Sequence, residues 1–245
     1  MCGTCGCADK NTVRIHSLDD NHTHNHHHEH SHIIDVEKDI LHKNDIGAER
    51  NRNYFEEHNI FTLNLVSSPG SGKTSLLEQT LNDLKESIDF TVIEGDQQTL
   101  NDANRINALH IPVIQINTGS GCHLESNMIF KALESLKPKK NSVLMIENVG
   151  NLVCPSLFDL GENKRVVIIS TTEGDDKPIK YPDMFVSADV CIINKIDLLP
   201  YVNFKVETAK KYAKQLNPKL EFFELSATTG QGMKQWYNWL LKHLD

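Results

Sequence analysis

Eight residues constrain this chain more than any others. Ser67-Ser68-Pro69-Gly70-Ser71-Gly72-Lys73-Thr74 follow a short β-rich run at 61–66 and open an amphipathic stretch of helix length at 74–87. A strand, a glycine-rich turn and a helix in that order are what a phosphate-binding loop requires. Its backbone N–H groups and the helix N-terminus present partial positive charge to a phosphate. Pro69, Gly70, Ser71, Gly72, Lys73, Thr74 and Ser75 form the expected cradle. Lys73 reaches the β- and γ-phosphates, and the Thr74 hydroxyl ligates Mg²⁺. Ser67 stands where G-x-x-x-x-G-K-T has its first glycine, while Gly70 and Gly72 still permit close backbone approach.

From Phe61 onward β-rich runs alternate with helix-length stretches. Strands read at 61–66, 90–93, 113–117, 142–147, 166–170, 190–194 and 221–225, and helices at 74–87, 124–137, 202–216 and 233–244. Alternation of this kind predicts right-handed βαβ units, hence an α/β fold with a mainly parallel sheet and helices on both faces. With 25 Lys+Arg against 33 Asp+Glu the chain carries a formal charge of −8, which argues against a nucleic-acid binder. The apolar runs fall far short of the roughly 20 residues that span a bilayer. The start, MCGTCGCADK, has no apolar secretory segment, so a cytoplasmic location is expected.

Asn194-Lys195-Ile196-Asp197 ends the sixth strand, and this N-K-x-D element resembles the guanine-specificity motif of GTPases. Its carboxylate can accept two hydrogen bonds from the guanine edge, whereas adenine would leave a buried Asp unpaired at a cost of about 1–3 kcal/mol. Ser226-Ala227, after the last strand, matches the S-A element that supports the base. Two acids sit where Mg²⁺ chemistry needs them, Asp96 in Glu94-Gly95-Asp96 and Glu147 in Glu147-Asn148-Val149-Gly150, unless either merely caps a following helix. No glutamine is evidently placed to orient an attacking water, so slow intrinsic GTP hydrolysis is expected.

The first 60 residues differ in texture. They hold ten of the 13 histidines and 6 Lys+Arg against 11 Asp+Glu. Little apolar surface is available there to offset ordering entropy, so most of this segment is expected to stay mobile. Residues 33–58 are the exception, where Ile33, Ile34, Val36, Ile40, Leu41 and Ile46 give a helix an apolar face for the main domain or for a partner. The expected division is a Cys/His-rich metal-binding tail at 1–32, a helical linker at 33–60 and a nucleotide-binding domain at 61–245.

Cys2, Cys5 and Cys7 lie within six residues, separated by glycines and one threonine. If Met1 is removed, the α-amine of Cys2 becomes available as a fourth ligand, and three thiolates plus one nitrogen in a flat geometry would suit Ni²⁺, whereas Zn²⁺ prefers a tetrahedron. His22, His24, His26, His27, His28, His30 and His32 form an interrupted run that offers many weak metal sites or simply solubility. Cys122 and His123 follow the third strand and Cys154 follows the fourth, giving three ligands on one sheet edge, one short of a closed site. Cys191, inside a β-run, reads as a buried structural cysteine.

Taken together, C-x-x-C-G-C, the His tract, S-S-P-G-S-G-K-T, E-G-D, C-H, E-N-V-G-N-L-V-C-P, E-G-D-D-K-P and N-K-I-D-L-L-P resemble the HypB family of nickel-incorporation GTPases that mature [NiFe] hydrogenases. The resemblance covers essentially the whole chain. It implies a SIMIBI-class P-loop NTPase fold, binding of GTP and GDP with Mg²⁺, and nucleotide-dependent homodimers. It also implies a tight nickel site at Cys2, Cys5 and Cys7. A weaker Ni²⁺ or Zn²⁺ site at Cys122, His123 and Cys154 would lie at the dimer interface. The implied partners are a HypA-type nickel chaperone, SlyD where present, and the hydrogenase large-subunit precursor. Leu198, Leu199 and Val202 read either as dimer contacts or as core, and Lys177 and Lys180 either as phosphate contacts or as solvated lysines. A urease-type maturation GTPase would share the fold without the C-x-x-C-G-C head, and a metal store would leave the nucleotide pocket idle.

Overall fold

The β-rich runs become seven strands: β1 (Ile60–Ser67), β2 (Phe90–Asp96), β3 (Val113–Asn117), β4 (Ser142–Glu147), β5 (Lys164–Ser170), β6 (Val190–Asn194) and β7 (Glu221–Glu224). They form one sheet in the order β3-β2-β4-β1-β5-β6-β7, every pairing parallel. The structure, a computed structural model, describes residues 30–97 and 101–244, with the backbone alone at 30–37 and 101. The helices are α1 (His30–His58), α2 (Lys73–Leu84), α3 (Asn101–Asn107), α4 (Ser126–Leu136), α5 (Cys154–Leu157), α6 (Lys177–Lys180), α7 (Pro182–Ser187), α8 (Val206–Leu216) and α9 (Met233–Lys242), with a 3₁₀ turn at Ile196–Tyr201.

Strand parity divides the core. Leu63, Val143, Met145, Val166, Ile168 and Ile192 face one side and meet Leu76 and Leu81 of α2 and Trp236 of α9. Their chain neighbours face the other way. Leu144 and Ile146 pack with Phe55 of α1 and Ile129 of α4, while Val167, Ile169 and Ile193 pack with Phe185 of α7 and Ala209 of α8. Both faces are therefore covered, as parallel strands require. Among the described residues no helix is long and apolar enough to cross a membrane.

Two readings that the sequence left open are narrowed here. The apolar face expected of the linker helix is not the face that docks: Ile40 and Ile46 are exposed, at 40% and 61%. What faces the domain is Asn44, Ala48, Asn51 and Phe55, all buried. Asn44 Oδ1 accepts the Ser126 N–H at 2.9 Å, and Asn51 Nδ2 donates to Ser126 O at 2.8 Å and Leu160 O at 3.0 Å. Arg52 adds an ion pair to Asp159 at 2.7 Å. Small and amide side chains let the helix approach closely, so these hydrogen bonds, together with burial of Phe55 in the core, set which side docks. Second, Leu199 and Val202, read either as dimer contacts or as core, pack against the cluster of Met184 and Phe185, while nearby Tyr201 is exposed.

Candidate functional site

The phosphate loop joins β1 to α2. Gly70 and Gly72 have φ of 78° and 90°, the left-handed region that favours glycine. A Cβ at Gly72 would also lie 2.5 Å from Asn194 Nδ2. Ser67, in the place of the usual first glycine, is buried, and its hydroxyl donates to Ser68 O at 2.9 Å. The N-terminal residues of α2 turn toward the end of β4. Lys73 Nζ donates to Glu147 Oε1 at 2.7 Å, and Thr74 Oγ1 donates to the same oxygen at 2.6 Å.

Glu94 faces Glu147 directly across the β2–β4 ladder. Glu94, Asp102 and Glu147 each bring one carboxylate oxygen to within 4.8 Å of the others. The Oε2 atoms of Glu94 and Glu147 are buried without a hydrogen-bond partner among the described residues. Burial first, and the Glu147 charge second, push the Glu94 carboxyl up to about 8, against the opposing pull of Lys73. Asp96, the residue singled out from sequence, ends β2 half-exposed, and its Oδ1 accepts the Gln97 N–H at 2.7 Å. It lines the same cleft of ≈ 520 Å³ as the phosphate loop, Glu94, Asp102 and Lys195, but stands outside the carboxylate trio.

Sequence reading passed over Glu94 because it ended the second strand at 93. With β2 continued to Asp96, an acid inside a buried strand is the signal that finds it. Asp102 and Arg105 were also missed. Their i, i+3 spacing on the short polar helix α3 supports an ion pair at 3.2 Å and carried no phosphate signature.

The N-K-x-D residues do more than flank a base. Buried Asn194 donates from Nδ2 to Ser71 O at 3.0 Å. Its Oδ1 accepts the N–H of Lys195 at 2.8 Å and of Ala227 at 3.1 Å. One amide thus ties together the phosphate loop, the N-K-x-D turn and the S-A turn. Lys195 Nζ donates to Gly70 O at 2.7 Å, Asp197 is half-buried in the first turn of the 3₁₀ segment, and the Ser226 hydroxyl accepts Thr229 N–H at 3.2 Å. Lys177 is drawn in as well: it donates to Ser68 Oγ at 2.7 Å and pairs with Glu173 at 2.9 Å, while Glu173 accepts from Ser71 at 3.0 Å. Lys180 instead pairs with Asp176 on the exposed side, at 2.7 Å.

A second cluster lies along the same sheet edge. Cys122 Sγ is 2.8 Å from Cys154 Sγ and 3.7 Å from His123 Nδ1, and ligand atoms of all three residues lie within 4.8 Å of one another. His123 is buried and stacks on Phe158 with ring centroids 3.9 Å apart. Its Nε2 is 3.7 Å from Glu125 Oε1. The His123 ring is the main cause holding the Glu125 carboxyl below its usual range, against partial burial. Cys191 sits inside β6 at zero exposure, where burial pushes its thiol up.

Both clusters share backbone. Glu147 and Cys154 belong to one segment, in which Asn148 Oδ1 accepts Leu124 N–H at 3.2 Å and Asn151 donates to Cys122 O at 3.2 Å. Gln97, lining the nucleotide cleft, donates from its side chain to Gly121 O at 3.3 Å. Cys2, Cys5, Cys7, His22, His24, His26, His27 and His28 lie outside the described residues. His30 and His32 fall in the backbone-only part of α1.

Residues 61–224 match the family described as CobW/HypB/UreG, nucleotide-binding domain. The chain is 57% identical over 208 residues to the hydrogenase maturation factor HypB of Rhizobium leguminosarum bv. viciae, covering 85% of this chain and 70% of that one. A crystal structure of the hydrogenase maturation factor HypB from Archaeoglobus fulgidus superposes with a TM-score of 0.78 at 38% identity, over 83% of this chain and 99% of that one. A structure described as HypB from Helicobacter pylori in complex with nickel gives 0.76 at 41%, over 82% and 95%.

Proposed function

The chain belongs to the HypB family of hydrogenase maturation factors, and from that premise we propose that it is a slow GTPase that binds Ni²⁺ and delivers it to the [NiFe] hydrogenase large subunit. In this reading residues 1–32 are a nickel-binding tail through Cys2, Cys5 and Cys7, 33–60 a helical link, and 61–245 the GTPase domain. Cys122, His123 and Cys154 hold a second Ni²⁺ or Zn²⁺. A nucleotide-dependent dimer, a HypA-type chaperone and SlyD are the proposed partners.

Guanine selectivity falls to Asp197, with Asn194 holding the three nucleotide loops in register. The phosphates take the amides of residues 70–75 and Lys73. Mg²⁺ suits the all-oxygen set of Thr74, Asp96 and Glu147, and the orphaned Oε2 of Glu147 supports that fit. When bound, it offsets charge on the phosphates.

The observation that carries the reading is the continuous segment from Glu147 to Cys154. Glu147 accepts from Lys73 at one end, and the cysteine cluster begins at the other. When Lys73 turns to a γ-phosphate it leaves Glu147, and the segment that carries Cys154 is free to move. Nucleotide state and metal affinity are then reciprocally linked.

The test is GTP hydrolysis and dimer mass of the full chain with and without Ni²⁺, in wild type and Cys122→Ala. A nickel-dependent change in the wild type that vanishes in the variant is expected. Identical behaviour of both proteins would sink the coupling. Lys73→Ala should cut turnover by at least tenfold while leaving nickel binding by the tail intact; unchanged turnover would refute the GTPase assignment.

A further inference from the structure

Glu125 occupies the N-cap of α4, yet its carboxylate caps nothing: the position makes no side-chain cap bond, and the Ser126 N–H goes to Asn44 Oδ1 at 2.9 Å. Its Oε1 lies instead 3.7 Å from His123 Nε2. That nitrogen is buried and has no hydrogen-bond partner among the described residues. The other ring nitrogen, Nδ1, is 3.7 Å from Cys122 Sγ, on the side of the ligand cluster. In a neutral imidazole the two nitrogens have linked fates. A ring that offers its Nδ1 lone pair to a metal carries its proton on Nε2.

We propose that Glu125 is the positioning residue of the Cys122–His123–Cys154 centre, accepting the Nε2–H of His123 and so presenting Nδ1 to the metal. The stack on Phe158 fixes the plane of the ring and leaves a flip within that plane as its remaining freedom. Glu125 selects between the two flips. Its side chain is 43% exposed, so a rotation has room to shorten 3.7 Å to a hydrogen bond. The centre then has the carboxylate–histidine–metal arrangement in which an outer group sets tautomer and orientation. The inference rests on reading this cluster as a metal centre.

Two measurements on the full chain test it. Long-range ¹H–¹⁵N spectra of the metal-free protein, assigned with His123→Gln, report which nitrogen carries the proton. Nε2–H is expected in the wild type and a tautomer mixture in Glu125→Ala; an Nδ1–H ring in the wild type overturns the proposal. The second is a Co²⁺ titration in a chain carrying Cys2→Ser, Cys5→Ser and Cys7→Ser, followed by the thiolate-to-metal charge-transfer band, to which the His tract does not contribute. Glu125→Ala should weaken Co²⁺ binding by about tenfold and shift the band, and Glu125→Asp should restore most of both. A band in the parent chain that does not respond to Glu125→Ala defeats this proposal alone. No band in the parent chain defeats the metal reading and this one with it.

Discussion

Glu94 and Asp96 share one face of β2 and meet different fates. Glu94 is 2% exposed and looks across the ladder at another carboxylate, whereas Asp96 reaches the strand end and finds a backbone donor. The first is therefore held well above the ordinary glutamate value of 4.5, at about 8. A carboxyl whose folded pKa is raised favours the folded state at low pH and loses that contribution as pH rises through the folded value. In EDTA and without nucleotide, stability should fall as pH climbs from 4.5 toward 8. Glu94→Gln should remove that part of the fall and melt higher than the wild type above pH 8; equal melting temperatures there would show that Glu94 is not the group responsible. The phosphate loop was legible in sequence because its glycines and lysine have fixed spacing. The role of Asn194 as a three-way tie was not, because its partners at Ser71 and Ala227 are distant in sequence and joined only by folding.

At the scale of elements, the strands were the easiest to read. Runs such as those of β4 and β6 have apolar interiors without alternation, which buried parallel strands demand, and their ends coincide with the reading at 142–147 and 190–194. The one-turn helices α5, α6 and α7 were not read, since four to six residues carry no helical period. Helix α1 was read as a helix, but its docking face was not, because counting isoleucines cannot see hydrogen bonds to Ser126 and Leu160. Its close approach also depends on Gly161. With φ of 87°, a Cβ there would lie 2.5 Å from Ala48 O. Gly161→Ala should cost about 1–3 kcal/mol in urea unfolding and speed amide exchange along the C-terminal half of α1. Unaltered exchange in α1 would mean that the helix is held by other contacts.

For the whole molecule, alternation alone implied that both clusters would share the C-terminal edge of the sheet, where parallel α/β proteins place their ligands. It could not reveal that Glu147, Asn148, Asn151 and Cys154 make one segment serve both. The Lys73–Glu147 pair has a consequence of its own. Glu147 is 1% exposed and accepts from both Lys73 and Thr74, so salt screens the pair little. Glu147→Gln should accordingly bind nucleotide more tightly in EDTA, by about the tenfold that 1.4 kcal/mol supplies, while hydrolysing GTP more slowly with Mg²⁺. Weaker nucleotide binding by that variant in EDTA would contradict it. If Lys73 serves the phosphates as proposed, the protein without nucleotide is its own competitive inhibitor: a tethered carboxylate occupies the lysine that a phosphate must win. Nucleotide affinity is then the difference between two ion pairs, and a partner that pulls Glu147 aside would load the site without ever touching it.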